Sequence, residues 1–253
     1  MKNDDFGDRM KQLESAYTSM RVTHPDILCV RIDGKKFSKY TKGFTKPFDE
    51  RMLDAMTETS QYLVEQTNAT LSYTQSDEIT LIFVPTGDEH IFGGKVSKIN
   101  SILASMATAY FNNYMHQYKY ISSNELALFD CRSWAVSSLA EAANTLLWRI
   151  HDCRKNSVSC LYRWTAGHSR MKNKNQQEMI ADLIVNFNTK WDDLQYNYKY
   201  GTIYKRVPTE VETEYGPAIR TKIIQIDPTD FCIYSHKRRE EFIYKEINDD
   251  PLD

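Results

Sequence analysis

The sequence lacks the features that identify several common protein classes. Its five cysteines are odd in number and form no CxxC pair, which argues against a disulfide framework or a zinc cage. It contains no HExxH and no GxSxG motif, so a metalloprotease or a serine hydrolase has no support. No apolar signal segment follows the N-terminus, and no apolar run approaches the roughly 18 residues of a membrane span. We therefore expect a cytoplasmic protein in a reducing compartment.

The chain also lacks an excess of charge of either sign. Its 32 lysines and arginines nearly balance 34 aspartates and glutamates, for a formal net charge of −2. Any surface that binds a polyanion must therefore be local. A hydrophobic fraction of 41% in 253 residues is ample material for a core.

Apolar periodicity predicts alternating strands and helices over the first two thirds of the chain. The order is helix, strand, helix, β-hairpin, helix, strand, helix, and Asp49 is a plausible N-cap of the second helix. The predicted bounds are 4–21, 27–32, 49–66, 70–84, 95–117, 126–134 and 138–163. This order favours an α+β fold with a palm-like (ferredoxin-like) antiparallel sheet and helices on one face.

The last third of the chain has a different pattern. A polar stretch at 169–176 reads as a solvated loop and 177–188 as a helix. The segments 196–206 and 218–226 could pair as a hairpin around a turn that contains Gly216 and Pro217. We interpret residues 1–163 as a catalytic domain and 164–253 as a C-terminal helix and hairpin extension packed on it in one structural unit.

Two acidic signatures stand where β-rich runs give way to turns. Asp33 follows the strand at 27–32, and Asp77 with Glu78 forms the tip of the hairpin at 70–84. Two strand ends brought together in one sheet could place Asp33 and Asp77 around common divalent cations. Mg²⁺ takes hard oxygen ligands and commonly uses one or two carboxylates plus substrate phosphates. Two such ions would suit an in-line phosphoryl displacement.

A basic loop follows the first acidic signature directly. Residues 35–46 contain five lysines, and this position favours a phosphate-binding role over a merely solvated loop. Lys46 is the specific candidate. The segment 196–206 interleaves aromatic and basic residues. This pattern suits two interpretations equally: base stacking combined with phosphate contact, or aromatic pairs across a β-hairpin.

Several short motifs resemble the tRNA-His guanylyltransferase family. Their order and approximate spacing hold over roughly residues 5–206. The matching elements are Arg31-Ile32-Asp33-Gly34 with Phe37, Lys46-Pro47, Asp49-Glu50-Arg51, Gln75-Ser76-Asp77-Glu78, Phe129-Asp130-Cys131-Arg132, Trp148-Arg149 with Asp152 and Asn156, and Tyr200-Gly201-Thr202.

The resemblance implies a palm-like fold and an unusual reaction. Enzymes of this family extend RNA in the 3′-to-5′ direction. A 5′-monophosphorylated tRNA end is activated, usually as an adenylate from ATP, and the 3′-hydroxyl of an incoming NTP attacks the activated phosphate. The implied cofactors are two Mg²⁺ ions, the substrates are tRNA with ATP, GTP or other NTPs, and the assembly is a homo-tetramer.

The resemblance also implies roles for individual residues. Asp33 and Asp77 would bind the metals with the Gly34 carbonyl, and Glu78 would assist beside them as a third catalytic residue. The nucleotide-binding set would be Gly34, Lys35, Lys36, Phe37, Ser38, Lys46, Ser76 and Asn156.

One departure from the family pattern affects the predicted substrate. The family's HINN-like motif is replaced by Arg154-Lys155-Asn156-Ser157, so the histidine linked to recognition of the histidine anticodon is absent. The chain is therefore more similar to the Thg1-like branch, which repairs 5′-truncated tRNA against the opposite strand. Addition of one G to tRNA-His is the second prediction. A palm-fold nucleotide cyclase and a non-catalytic RNA-binding protein remain alternatives.

Overall fold

The computed structural model describes residues 5–87, 89–117, 125–214 and 216–244. Its centre is a six-stranded antiparallel sheet with strand order β4-β1-β3-β2-β5-β6. The strands are β1 (Ile27–Gly34), β2 (Leu71–Gln75), β3 (Glu78–Phe83), β4 (Phe129–Val136), β5 (Thr202–Thr213) and β6 (Gly216–Ile226). The helices are α1 (Asp5–Thr18), α2 (Phe37–Tyr40), α3 (Glu50–Thr67), α4 (Val96–Gln117), α5 (Leu139–Ala166), α6 (Gln176–Phe187), α7 (Tyr196–Tyr200) and α8 (His236–Tyr244).

The predicted order of elements in the first two thirds is confirmed. Asp49 caps α3 by accepting a hydrogen bond from the Arg51 backbone N–H, and Ser138 caps α5 in the same way through Glu141. The hairpin of β2 and β3 leaves only Ser76 and Asp77 between its strands. The fourth strand begins at Phe129, three residues later than the sequence predicted.

The prediction that helices cover one face of the sheet is wrong, because both faces are covered. Leu28 and Val30 of β1 belong to a core that includes residues of α3 and α4. Ile27 and Cys29, on the opposite face of the same strand, belong to a second core with residues of α5 and α8. The physical reason is the continuous apolar run of β1, whose first four residues are all buried. A strand with no polar face must be covered on both sides.

The C-terminal third adds two strands to the same sheet. β5 pairs with β2 from Thr202 to Lys205 and then continues with β6 as a two-stranded hairpin. The predicted hairpin therefore forms, with two corrections. Residues 196–200 are the helix α7 rather than a strand, and Gly216 and Pro217 begin β6 rather than forming the turn.

A glycine marks the change from α7 to β5. Gly201 has φ +81°, a left-handed conformation that ends the helix, and a Cβ at this position would lie 2.6 Å from the Thr74 carbonyl oxygen of β2. The close approach of these two backbones brings β5 into the sheet directly after the helix.

In the part of the chain that the structure describes, no helix has the length and apolar character needed to cross a membrane.

Candidate active site

Asp33 lies at the end of β1 on the sheet face that α5 covers. Its register partners are Glu78 on β3 and Asp130 on β4, and directly paired residues of antiparallel strands project to the same face. Three carboxylates from three neighbouring strands therefore share one end of the sheet.

Asp77 lies in the turn between β2 and β3, beside Asp33. The backbone N–H of Gly34 donates to the Asp77 carbonyl at 3.0 Å, which ties the two acidic signatures together. Burial raises the pKa of the Asp77 carboxyl and the neighbouring charge of Asp33 adds to that rise, while a hydrogen bond from the Ser76 hydroxyl (3.0 Å) opposes it. The predicted meeting of the two strand ends is thus present in the fold.

Glu78 is held in a buried ion pair rather than at the surface. Arg149 of α5 donates to both carboxylate oxygens, from Nε to Oε1 at 2.6 Å and from Nη2 to Oε2 at 2.7 Å. Arg31 approaches the second oxygen at 3.8 Å. Burial raises the pKa of Glu78, and the two arginines limit that rise. Because Arg149 engages both oxygens, Glu78 is placed to position α5 against the sheet.

Arg149 belongs to this site, although the sequence pattern assigned it no role beyond its place in the motif Trp148-Arg149. Its side chain is only 6% exposed. The signal was available: Leu146, Arg149 and Cys153 follow the spacing of three and four residues that marks the buried face of α5.

The loop after β1 is shaped by packing. A Cβ on Gly34 would lie 2.3 Å from the Phe37 ring, so glycine leaves the space that this ring occupies. Phe37 is buried and packs against Phe111 and Phe129, with ring centroids 5.6 and 5.0 Å away. Lys36 adopts φ +57° immediately before α2. The glycine and the phenylalanine of the first motif therefore act together to fold the loop back onto the core.

A cavity of about 380 Å³ opens between this loop, the β2–β3 turn, α3, α5 and α7. Six of the predicted site residues line it, namely Phe37, Ser38, Lys46, Ser76, Asp77 and Asn156. The other five, Asp33, Gly34, Lys35, Lys36 and Glu78, lie outside its described lining.

The cavity wall combines aromatic rings with polar groups. Phe48 and Tyr198 stack at 4.7 Å with an interplanar angle of 23°, and both line the cavity. Lys46 also lines the cavity, and its Nζ lies 3.5 Å from the Thr41 hydroxyl. Asn197 Oδ1 is buried at the wall, and no hydrogen-bond donor among the described residues reaches it. Such a wall suits a ligand with a flat ring, a hydrogen-bond donor and a negative charge.

The sequence predicts only one of the two stacked aromatic residues of the cavity as a candidate for base stacking. Tyr198 belongs to the segment for which base stacking and a β-hairpin stood as equal alternatives, and the helix α7 rules out the hairpin for this residue. Phe48, 150 residues away in sequence, supplies the stacked ring. No local signal connects two positions so far apart.

Two further carboxylates make hydrogen bonds at the site. Asp152 accepts from Arg149 at 3.1 Å and from the Asn156 amide at 3.2 Å, which orients that predicted nucleotide-binding residue. Asp49 is buried, which raises the pKa of its carboxyl, but hydrogen bonds from the Arg51 side chain and the Thr45 backbone outweigh burial and lower the pKa to about 2.

Comparison with known proteins agrees with this geometry. Residues 7–137 match the model of a family described as tRNAHis guanylyltransferase. The chain belongs to this family. It is 34% identical over 231 residues to an uncharacterized protein, R259, of Acanthamoeba polyphaga mimivirus, covering 81% of this chain and 78% of the relative.

Two solved structures of bacterial tRNA(His) guanylyltransferase (Thg1)-like proteins share the fold over 95% of this chain and 100% of theirs. The ATP complex has a TM-score of 0.80 at 32% identity, and the GTP complex has a TM-score of 0.77 at 33% identity. The predicted family and the predicted α+β class with an antiparallel sheet are confirmed.

Proposed function

We propose that this protein is a nucleotidyltransferase that adds nucleotides to the 5′ end of tRNA in the 3′-to-5′ direction. The observation that carries the proposal is the meeting of Asp33 and Asp77 at one end of the sheet, beside a cavity with stacked aromatic rings and a lysine. Membership of the tRNAHis guanylyltransferase family supports the same reaction class.

The cavity is suited to the nucleoside part of an NTP, and Lys46 to its phosphates. Aromatic faces accept any base by stacking, while an orphan acceptor such as Asn197 Oδ1 favours a base with an amino group or a ring N–H. The bacterial relatives were solved with ATP and with GTP, both of which carry such groups. We assign ATP, GTP or another NTP to this cavity, with the phosphates directed towards Asp77.

The residues at the strand ends fit Mg²⁺. No group of three or more His, Cys, Asp or Glu suited to a metal occurs among the described residues, but Mg²⁺ commonly needs only one or two protein carboxylates together with phosphate oxygens. Asp33 repels Asp77 and thereby contributes to its raised pKa, and a cation between two carboxylates would relieve this repulsion. Asp33 and Asp77 would hold the two ions, which supply charge neutralisation at the reacting phosphates.

The described groups act mainly by positioning and by charge. In the activation step, an oxygen of the tRNA 5′-phosphate attacks the α-phosphorus of ATP and pyrophosphate leaves. In the transfer step, the 3′-hydroxyl of the incoming NTP attacks the activated 5′-phosphorus and AMP leaves. Lys46 binds phosphate oxygens, while the cavity holds the nucleoside in line with the reacting end.

Template-dependent repair of 5′-truncated tRNA is the more specific form of the proposal. Arg154 and Ser157, at two positions of the family's HINN-like motif, are both engaged with Trp191. The Arg154 guanidinium lies 5.2 Å from the ring centroid, and the Trp191 Nε1–H donates to the Ser157 hydroxyl at 3.0 Å. These positions therefore serve internal packing. Addition of one G to tRNA-His remains the second candidate, since the family model carries that description.

Extension of 5′-monophosphorylated tRNA that lacks its first nucleotide tests the proposal. With Mg²⁺ and four NTPs, we expect template-matched addition by the wild type and at least a hundredfold loss in Asp33→Asn and Asp77→Asn, in line with removal of groups that stabilise transition-state charge. Asp26→Asn is the matched control, because Asp26 precedes the opposite end of β1.

The other outcomes separate the alternatives. Extension of full-length tRNA-His alone would favour the second candidate. Release of a cyclic nucleotide without RNA would support a cyclase. Binding of tRNA without turnover, unchanged by Asp77→Asn, would support a non-catalytic RNA-binding protein. The cytoplasmic location and the homo-tetramer remain predictions that this assay does not address.

A further inference from the structure

The amide of Asn156, at the cavity wall, is held in one orientation by Asp152. Asn156 Nδ2 donates to Asp152 Oδ2 at 3.2 Å, across one turn of α5. The reverse orientation would place the amide oxygen against a carboxylate oxygen, and an ionised carboxylate only accepts hydrogen bonds. Two acceptors in contact would repel each other. The amide nitrogen therefore faces Asp152, and Oδ1 is the end of the side chain that is left for a ligand.

Asp152 is itself fixed by a buried group. Arg149 Nη2 donates to the same Asp152 Oδ2 at 3.1 Å. The guanidinium cannot turn away, because it also donates to both carboxylate oxygens of Glu78 and is only 6% exposed. An unbroken series of hydrogen bonds therefore runs from Glu78, beside the acidic strand ends, to Asn156 in the cavity. The sheet thus sets the orientation of one amide at the cavity wall.

The free end of Asn156 is a hydrogen-bond acceptor. The residue is exposed and lines the cavity, and no donor among the described residues reaches its Oδ1. Such an oxygen binds a hydroxyl, an amino group or a ring N–H. Phosphate oxygens are acceptors too, so Oδ1 selects a different part of a nucleotide from the part that Lys46 suits.

Two parts of a nucleotide carry suitable donors, the ribose and the base. The stacked rings of Phe48 and Tyr198 suit the base, and Asn197 on α7 offers a separate acceptor there. Asn156 lies instead on α5, the helix that Arg149 joins to the acidic end of the sheet, where the phosphates are directed. The ribose connects the base to the phosphates. A ribose hydroxyl is therefore the donor that fits Asn156.

We propose that Asn156 accepts a hydrogen bond from a ribose hydroxyl of the bound nucleotide, and that Asp152 is the positioning residue that turns the Asn156 oxygen towards it. The proposal rests on the assignment of an NTP to the cavity made above. It adds a selection rule to that assignment: the cavity distinguishes ribonucleotides from deoxyribonucleotides through one amide oxygen, without any contact to the base.

Equilibrium binding of ATP, 2′-deoxy-ATP and 3′-deoxy-ATP to the full chain, with Mg²⁺ and without tRNA, tests the contact. We expect the wild type to bind one of the two analogues about two- to tenfold more weakly than ATP, the usual net effect of one hydrogen bond. Asn156→Ala should weaken ATP binding by the same factor and abolish the discrimination. The analogue that binds weakly identifies the hydroxyl.

Asp152→Ala tests the positioning role. Without the carboxylate the Asn156 amide can turn, so the discrimination between ATP and the analogue should fall while ATP still binds. The double variant with Asn156→Ala should discriminate no better than Asn156→Ala alone. A general loss of folding would weaken the binding of all three nucleotides alike, so the ratio of their affinities reports the orientation of the amide.

Helix α5 offers a matched control outside the cavity. Asn144 Nδ2 donates to Glu141 Oε1 at 3.3 Å, so this pair repeats the amide and the carboxylate of the proposed site. Neither residue is among those that line the cavity. Glu141→Ala and Asn144→Ala should leave the affinities for all three nucleotides unchanged.

Three results would overturn the proposal: equal affinities of the wild type for the three nucleotides, an Asn156→Ala loss that is the same for ATP and both analogues, or an unchanged ratio in Asp152→Ala. The second result would assign the amide to the base, the phosphates or the metal. A wild type that discriminates but adds no nucleotide to tRNA would refute the proposed reaction and leave this contact intact. A wild type that binds none of the nucleotides would refute both.

Discussion

Arg149 shows how one buried charge can hold a site together. Its side chain is 6% exposed and that of Glu78 is 9% exposed, and the two are joined by two hydrogen bonds. The pair links α5 to β3 next to Asp33. Removing one partner leaves the other buried and charged without compensation, which is more costly than the pair itself is stabilising.

We expect Arg149→Met to lower the free energy of unfolding by about 3–5 kcal/mol, the cost of breaking a buried ion pair. Glu78→Gln combined with Arg149→Met should recover much of that loss, because both charges are then removed. Urea denaturation of the wild type, both single variants and the double variant gives the coupling energy. Additive losses would mean that the two residues do not act as a pair.

For single residues, the sequence predicts a position in the site where that position follows from local rules. It does not predict a position that depends on a partner far away in the sequence. Asp33 and Asp77 stand at strand ends that apolar patterning reveals. The Arg149 contact joins residues 71 positions apart, and burial of Asn197 Oδ1 depends on how α7 packs at the cavity. The catalytic, metal-binding and nucleotide-binding roles given to all of the predicted site residues, Asp33 and Asp77 included, remain predictions.

The sequence pattern gives the wrong type of secondary structure for a short element. Tyr196–Tyr200 alternates aromatic and polar residues like a strand, yet it forms one short helix of five residues. Tertiary contacts decide this case: the Tyr73 hydroxyl donates to the Tyr200 carbonyl at 2.8 Å, and Tyr198 stacks on Phe48. Longer elements such as α3 and α5 could be predicted because their apolar periodicity extends over several turns and each begins at a capping residue.

We expect Gly201→Ala to destabilise the junction of α7 and β5. The new Cβ would lie 2.6 Å from the Thr74 carbonyl and from the Tyr73 ring, and φ +81° is unfavourable for alanine. The loss should exceed about 1 kcal/mol, the scale of an incompatible glycine replacement. Gly43→Ala is the control, since nothing lies within 4 Å of its Cβ position. Equal melting temperatures of the two variants would contradict this account.

We expect the stability of the protein to depend on pH through Lys205, which lies at the contact between β5 and α8. Burial lowers the pKa of Lys205 to about 8, and its ammonium donates to the Phe242 carbonyl of α8. Between that pKa and about 10.4, the usual lysine pKa, the unfolded chain binds the proton more tightly than the folded one. Stability therefore rises with pH over this window.

Urea unfolding of the wild type and Lys205→Met at several pH values, from roughly neutral to about 11, checks this sign. The free energy of unfolding of the wild type should rise relative to that of the variant as the pH increases. The difference between the two should become constant above the lysine pKa of about 10.4. Parallel curves would show that Lys205 keeps an ordinary pKa in the folded protein.

The arrangement of the whole sheet is the part of the fold that patterning does not determine. The spatial order β4-β1-β3-β2-β5-β6 places β5 beside β2, although 126 residues separate the end of β2 from the start of β5. The sequence reveals each strand and the two local hairpins. It contains no local signal for which edge the C-terminal hairpin joins. The apolar run of β1 does require cover on both faces of the sheet, but no local signal shows that α5 and α8 supply the second cover.

The sheet and its second core continue across the boundary predicted at residue 163, and this has a consequence for the isolated N-terminal part. A fragment of residues 1–166, which keeps α5 whole, loses four buried residues of that core: Ile203, Phe231, Phe242 and Ile243. At about 1.5–3 kcal/mol for each large apolar side chain, the loss is roughly 6–12 kcal/mol. This is comparable with the entire stability of a typical domain, about 5–15 kcal/mol.

We therefore expect the fragment to show no cooperative thermal transition and to bind a hydrophobic dye, while the full chain unfolds cooperatively. Leu71 and Tyr73, both at most 1% exposed in the full chain, would lie on an edge strand open to solvent. Adding residues 167–253 as a separate fragment should restore the transition, because it supplies both β5 and α8. A fragment that melts cooperatively alone would instead mark residues 1–166 as an independent domain. The candidate active site would then lie between two separately folding units, this domain and the C-terminal part.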